Sequence, residues 1–187
     1  MKKVNRMNLK VIASALLIAG LAAPSAFAST GTITFTGAIT NVTCTVDGGA
    51  PGNGPDFTVN IGSVNAADFG DVGTTAGNTG YRIYIGKPGD TTCANGTKVW
   101  ATYDTGSTVD PVTGALTTTG GASGVQIRLF DKNGKPIDIW SDTQDGVKET
   151  VSDNQAVLAY SASYERTGAV VAGGANSAVT YTIRYEQ

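Results

Sequence analysis

The side chains that most readily do chemistry are scarce in this sequence and poorly spaced for it. No histidine occurs among the 187 residues, so the commonest general base and metal ligand is missing, and a catalytic centre would have to be built from carboxylates, Ser or Lys. Asp104-Thr105-Gly106 is the tripeptide that an aspartic protease needs twice, because two carboxylates must share one proton. It occurs once here and leads into a Ser/Thr/Gly-rich stretch, the composition of a turn. Asp131-Lys132-Asn133-Gly134 could open a calcium loop, but its closing acidic ligand would fall at Asp142 and the ligand positions between are mostly apolar, so a hairpin turn is expected. Asn41-Val42-Thr43 and Asn95-Gly96-Thr97 match the glycosylation acceptor pattern. No catalytic residue, metal ligand or cofactor site emerges, and the chain is read as a non-enzyme.

The beginning of the chain bears on where it is exported. Lys2, Lys3, Arg6 and Lys10 precede the apolar run Val11 to Leu21, and Ala26-Phe27-Ala28 follows Pro24. This is the pattern of a cleaved signal peptide, residues 1–28, with the cut after Ala28. A retained membrane anchor would need about 20 apolar residues, more than the run supplies. Cleavage would leave nine basic against 15 acidic residues, a net charge of −6. A chain this acidic, without a basic cluster, suits neither nucleic acid nor an anionic membrane surface.

Cys44 and Cys93 are the only cysteines, and both fall in the exported part. An oxidising compartment would join them in one disulfide, with two free thiols as the alternative. Two cysteines without histidine cannot supply a usual zinc ligand set.

The remaining 159 residues suffice for one domain. They show no sustained helical periodicity; alternating segments rich in Val, Ile, Thr and Tyr recur between Gly, Asn and Asp clusters, an all-β pattern. Strands are expected at Thr32 to Val46, Phe57 to Ile61, Tyr81 to Ile85, Thr97 to Tyr103, Gly124 to Phe130, Ala156 to Tyr164 and Ala178 to Glu186. Seven strands fit a sandwich. The stretches Asp47 to Pro55, Asp104 to Gly124 and Thr167 to Asn176 read as loops. Trp100 and Trp140 fall in strand-like segments, where core packing is expected.

Both ends of the exported part alternate strictly. Ile33, Phe35, Gly37 and Ile39 share one face of a strand, with Thr32, Thr34, Thr36, Ala38 and Thr40 on the other; Val179, Tyr181, Ile183 and Tyr185 repeat the pattern near the end. Alternation alone is equally compatible with ordinary strands of a self-contained sandwich.

In combination these features resemble the subunits of chaperone-usher pili, in particular type 1 and P pilus rod and fibrillum pilins. The resemblance rests on Ile33-Thr34-Phe35-Thr36-Gly37-Ala38-Ile39 followed by Cys44-Thr45-Val46, on Cys93, on Gly124 to Asp131 with Gly134 and Ile137, on Tyr160 to Tyr164, and on the ending Gly173 to Gln187. Two features depart from the family: Tyr185 stands third from the end rather than second, and Gly86 to Asp90 is an insertion before Cys93.

The resemblance implies an incomplete immunoglobulin-like sandwich lacking its last strand, completed by a donor strand from a neighbouring subunit. Residues 29–42 would be the donor-strand extension, with Ile33, Phe35, Gly37 and Ile39 entering the neighbour, and residues 43–187 the pilin domain. Val179, Tyr181, Ile183 and Tyr185 would form the acceptor strand that also meets the chaperone. The implied partners are identical subunits in a homopolymer, a periplasmic chaperone and an outer-membrane usher, and the implied destination is a fimbria on the cell surface that supports adhesion. A different class, a secreted self-contained carbohydrate-binding sandwich using its Tyr and Trp residues, is the alternative.

Overall fold

The computed structural model describes residues 34, 42–144 and 146–187. The expected signal peptide and the donor residues Ile33, Phe35, Gly37 and Ile39 lie outside the described residues. Eight strands appear in chain order: β1 Val46–Gly48, β2 Thr75–Gly86, β3 Lys98–Tyr103, β4 Leu116–Thr117, β5 Ser123–Asp131, β6 Glu149–Thr150, β7 Gln155–Val171 and β8 Tyr181–Glu186. A 3-10 turn, Ala66–Asp68, is capped by Asn65, whose side chain accepts from the Ala67 N–H while Asp68 accepts from the Asn65 N–H.

All strand pairs are antiparallel, in a five-stranded sheet ordered β1-β2-β7-β5-β4 and a three-stranded sheet ordered β6-β3-β8. Period-two alternation sends Ile83 and Ile85 of β2 and Leu158, Tyr160 and Ala162 of β7 inward, where they meet Val99, Ala101 and Tyr103 of β3. Burying each such Ile or Leu contributes about 1.5 to 3 kcal/mol. Tyrosines fasten the layers: the Tyr160 hydroxyl accepts from the Ala101 N–H at 3.1 Å, and the Tyr81 and Tyr103 hydroxyls lie 2.7 Å apart.

The expected disulfide is present, Cys44 to Cys93, with the Cα atoms 4.6 Å apart, and the described residues hold no free cysteine. It sits at one pole of the domain, where Gly86 pairs with Gln155 in the β2–β7 ladder; the opposite pole is marked by the pair Thr75 and Glu165. β2 reaches that second pole through a bulge between Ala76 and Thr79. Gly77 makes the bulge possible: its φ is +75°, and a Cβ there would stand 2.8 Å from Val64.

Several expected elements differ. Phe57 to Ile61, expected as a strand, belongs to no ladder among the described residues. The stretch read as a loop from Asp104 to Gly124 contains β4, and β7 continues past Tyr164 to Val171. Trp140 is 47 % exposed after a turn in which its N–H donates to Asp138, so it does not pack in the core. Trp100 lies in β3, but outward, with the Lys148 ammonium 4.4 Å above its ring.

Candidate functional site: an open groove between two sheet edges

The last strand, β8, pairs with β3 on one side and has no ladder partner on the other among the described residues. An unpaired edge exposes a row of backbone donors and acceptors. The facing lip is the ladderless segment Pro55 to Ile61, which runs beside the β1–β2 edge of the larger sheet. Between them opens a groove of about 650 Å³.

The sequence sets which side chains line it. Alternation along the final segment turns Val179, Tyr181, Ile183 and Tyr185 into the groove while Thr182, Arg184 and Glu186 take the other face; Thr180, before β8 begins, also borders the groove. On the far lip Phe57 and Ile61 line it, and Ile83, Tyr103, Ile127 and Leu129 form the floor. Gly48 lets Phe57 lie down, since a Cβ on Gly48 would fall 2.0 Å from the Phe57 ring. That ring then packs 5.8 Å from Tyr81 and edge-on, 6.2 Å, to Tyr181.

The electrostatics oppose ionisation. Burial pushes the phenols of Tyr81, Tyr103, Tyr181 and Tyr185 upward; the bond from Tyr103 partly offsets this at Tyr81, and the charges of Asp56 and Asp47 add to it at Tyr181. Mostly apolar walls, with Asp56 the one carboxylate at the lip, beside an unpaired strand edge suit an extended peptide with apolar residues at every second position. The groove brings no nucleophile and base together, and among the described residues no group of three or more His, Cys, Asp or Glu could hold a metal ion.

The structure thus gathers all four C-terminal candidates, Val179, Tyr181, Ile183 and Tyr185, on one wall. The far lip was hidden by reading Phe57 to Ile61 as a paired strand, although its alternation of Phe57, Val59 and Ile61 already marked one apolar face. Tyr81 and the floor residues Ile83, Tyr103, Ile127 and Leu129 were missed as site residues, since alternation alone does not distinguish a groove lining from a closed core.

Comparison with known proteins agrees with this geometry. The family model described as Fimbrial protein matches residues 33–186. The chain is 37 % identical over 175 residues to the major fimbrial subunit SMF-1 of Stenotrophomonas maltophilia, covering 88 % of this chain and 98 % of that protein. It is 29 % identical to a type-1 fimbrial protein A chain of Escherichia coli, covering 96 % and 100 %. Among solved structures, a chaperone-usher pilus whose structure addresses rod uncoiling matches with TM-score 0.55 at 20 % identity, over 88 % of this chain and 100 % of that one. The P pilus rod subunit PapA matches with TM-score 0.54 at 20 % identity, over 76 % and 99 %. These two likenesses show the fold, an immunoglobulin-like pilin sandwich. The chain belongs to the fimbrial protein family, the structural subunits of bacterial surface pili.

Proposed function

We propose that this subunit polymerises by donor-strand exchange: the groove beside β8 accepts residues 29–42 of a neighbouring copy, whose Ile33, Phe35, Gly37 and Ile39 face into it. The observation that carries the reading is the edge of β8, unpaired among the described residues, beside a mostly apolar groove, matched by a segment of the same chain with apolar residues at alternate positions. Burial of Ile33, Phe35 and Ile39 would contribute about 1.5 to 3 kcal/mol each, and the edge of β8 supplies backbone hydrogen bonds. In this reading residues 1–28 are removed on export, a periplasmic chaperone covers the groove until an outer-membrane usher delivers the subunit, and the polymer supports adhesion without catalysing a reaction.

The deciding experiment is Gly37→Leu, scored for both chaperone-complex yield and polymer yield. A side chain forced into a filled groove costs about 1 to 3 kcal/mol. Polymers are expected to be lost while the folded subunit and its chaperone complex persist. Normal fibres, or loss of the folded subunit itself, would overturn the assignment and return the closed carbohydrate-binding sandwich to consideration.

A further inference from the structure

The insertion Gly86 to Asp90 plays no part in the groove, and neither does a second hollow at the other pole. The insertion forms a tight turn: the Asp90 N–H donates to the Lys87 carbonyl at 3.0 Å, Pro88 is the first central residue, and Gly89 is the second with φ +80°. This is a type II geometry that places Pro88 at the apex. The turn is rigidly based, because the Asp90 carboxylate accepts from the Thr92 N–H and hydroxyl at 3.1 and 2.6 Å, and the next residue is the disulfide-bonded Cys93. Lys87, Pro88 and Gly89 are exposed.

The hollow, about 450 Å³, lies at the opposite pole among Val64, Phe69, Val125, Tyr164, Val170 and Val171. Val171 is 55 % exposed there, and the exposed Asp68 and Asp71 flank Phe69 in the chain. The hollow continues the groove directly: Asn176 lines the one and Ser177 the other.

Donor-strand exchange, on which this inference rests, brings the turn and the hollow together. Tyr185 packs in the same core cluster as Cys44, so β8 ends at the disulfide pole and begins at the hollow. If a donor strand ran parallel to β8, its own body would meet the acceptor's disulfide pole. Like poles would then face each other, and such a two-fold contact closes at a pair. An open polymer needs the antiparallel direction, in which Ile39 lies near Val179 and the donor's body follows at the hollow. From Ile39 to Cys44 the chain spans at most about 17 Å, so that body must abut the hollow.

We propose that the Lys87-Pro88-Gly89-Asp90 turn of each donating subunit seats in the hollow of the subunit it completes, with Pro88 against Phe69 and Val171 and Lys87 toward Asp68 and Asp71. This second contact fixes the angle between successive subunits, which a single strand with a short connector would leave free.

Polymers of subunits carrying Pro88→Cys and Val171→Cys together, oxidised mildly, are expected to give a ladder of covalent multimers on non-reducing gels that neither single variant gives. Polymers that form normally and give no ladder overturn the proposal. Val171→Asp covers failure of the double variant to assemble: it should bind the free 29–42 peptide as the unaltered subunit does, while its polymers dissociate about tenfold faster. Unchanged polymer lifetime, or equal loss of peptide binding, overturns the contact. Failure of the unaltered subunit to bind the peptide would instead sink the donor-strand reading.

Discussion

The Tyr181 hydroxyl donates a 2.6 Å hydrogen bond to the Pro55 carbonyl, tying the edge strand β8 to the opposite lip of the groove. Among the described residues that lip has no ladder to hold it; its anchors there include this bond, the Phe57 ring against Gly48, Tyr81 and Tyr181, and a long contact from the Thr79 hydroxyl to the Ile61 carbonyl. Tyr181→Phe keeps the ring and removes only the tie. Stability should fall by about 0.5 to 1.5 kcal/mol, with faster amide exchange confined to residues 55–61. Unchanged exchange in that segment would show that the tie does not hold the lip.

The disulfide joins residues 49 apart in sequence. On the chain-entropy account, closing a loop of that length stabilises the fold by about 4 kcal/mol. Cys44→Ser with Cys93→Ser should lower the denaturant midpoint accordingly, and reductant should no longer affect the variant. A double variant as stable as the oxidised subunit would refute the expectation.

The central strands were legible because they are half-buried and alternate: Tyr81 to Ile85, Gly124 to Phe130 and Ala156 to Tyr164 all fall inside observed strands. Their extensions were not. Thr75 to Gly80 reads as turn composition, yet the bulge at Gly77 carries β2 onward, because pairing with the far end of β7 outweighs local propensity. β4 and β6 are two residues each, too short for any periodic signal. Of the groove, the C-terminal wall was readable from alternation in Val179 to Tyr185, whereas the ladderless far lip depends on a tertiary relation, Phe57 lying over Gly48, that no local pattern reports.

One buried ion pair was also invisible to a one-dimensional reading. Arg128 on β5 and Glu165 on β7 meet at 2.6 Å with side chains 10 % and 17 % exposed, and Arg128 also donates to the Thr113 carbonyl at 2.6 Å. The pair therefore pins the loop before β4 onto the sheet. Arg128→Met strands a buried carboxylate and should cost about 3 to 5 kcal/mol. Arg128→Met with Glu165→Leu should cost less than the single change. A double variant less stable than either single one would show that the pair itself, and not the orphaned charge, dominates.

The tyrosines that join the sheets predict how the subunit fails in alkali. Burial raises the ionisation of Tyr81, Tyr103 and Tyr160 in the folded chain, and the charge of Tyr81 adds to the effect at Tyr103. An unfolded tyrosine titrates near pH 10. Since the folded chain holds these protons more tightly, their stabilising contribution is complete below about pH 10 and is lost as the pH rises toward the folded values. Within that window each such group removes about 1.4 kcal/mol per pH unit. Tyr103→Phe deletes one of them and leaves the Tyr81 hydroxyl without its 2.7 Å partner. The variant should therefore be less stable at pH 8 but lose stability less steeply above pH 10. Unfolding midpoints measured across pH 8 to 11.5, ~0.5 unit apart, test this, and parallel slopes for variant and unaltered subunit would rule out the buried phenols as the cause.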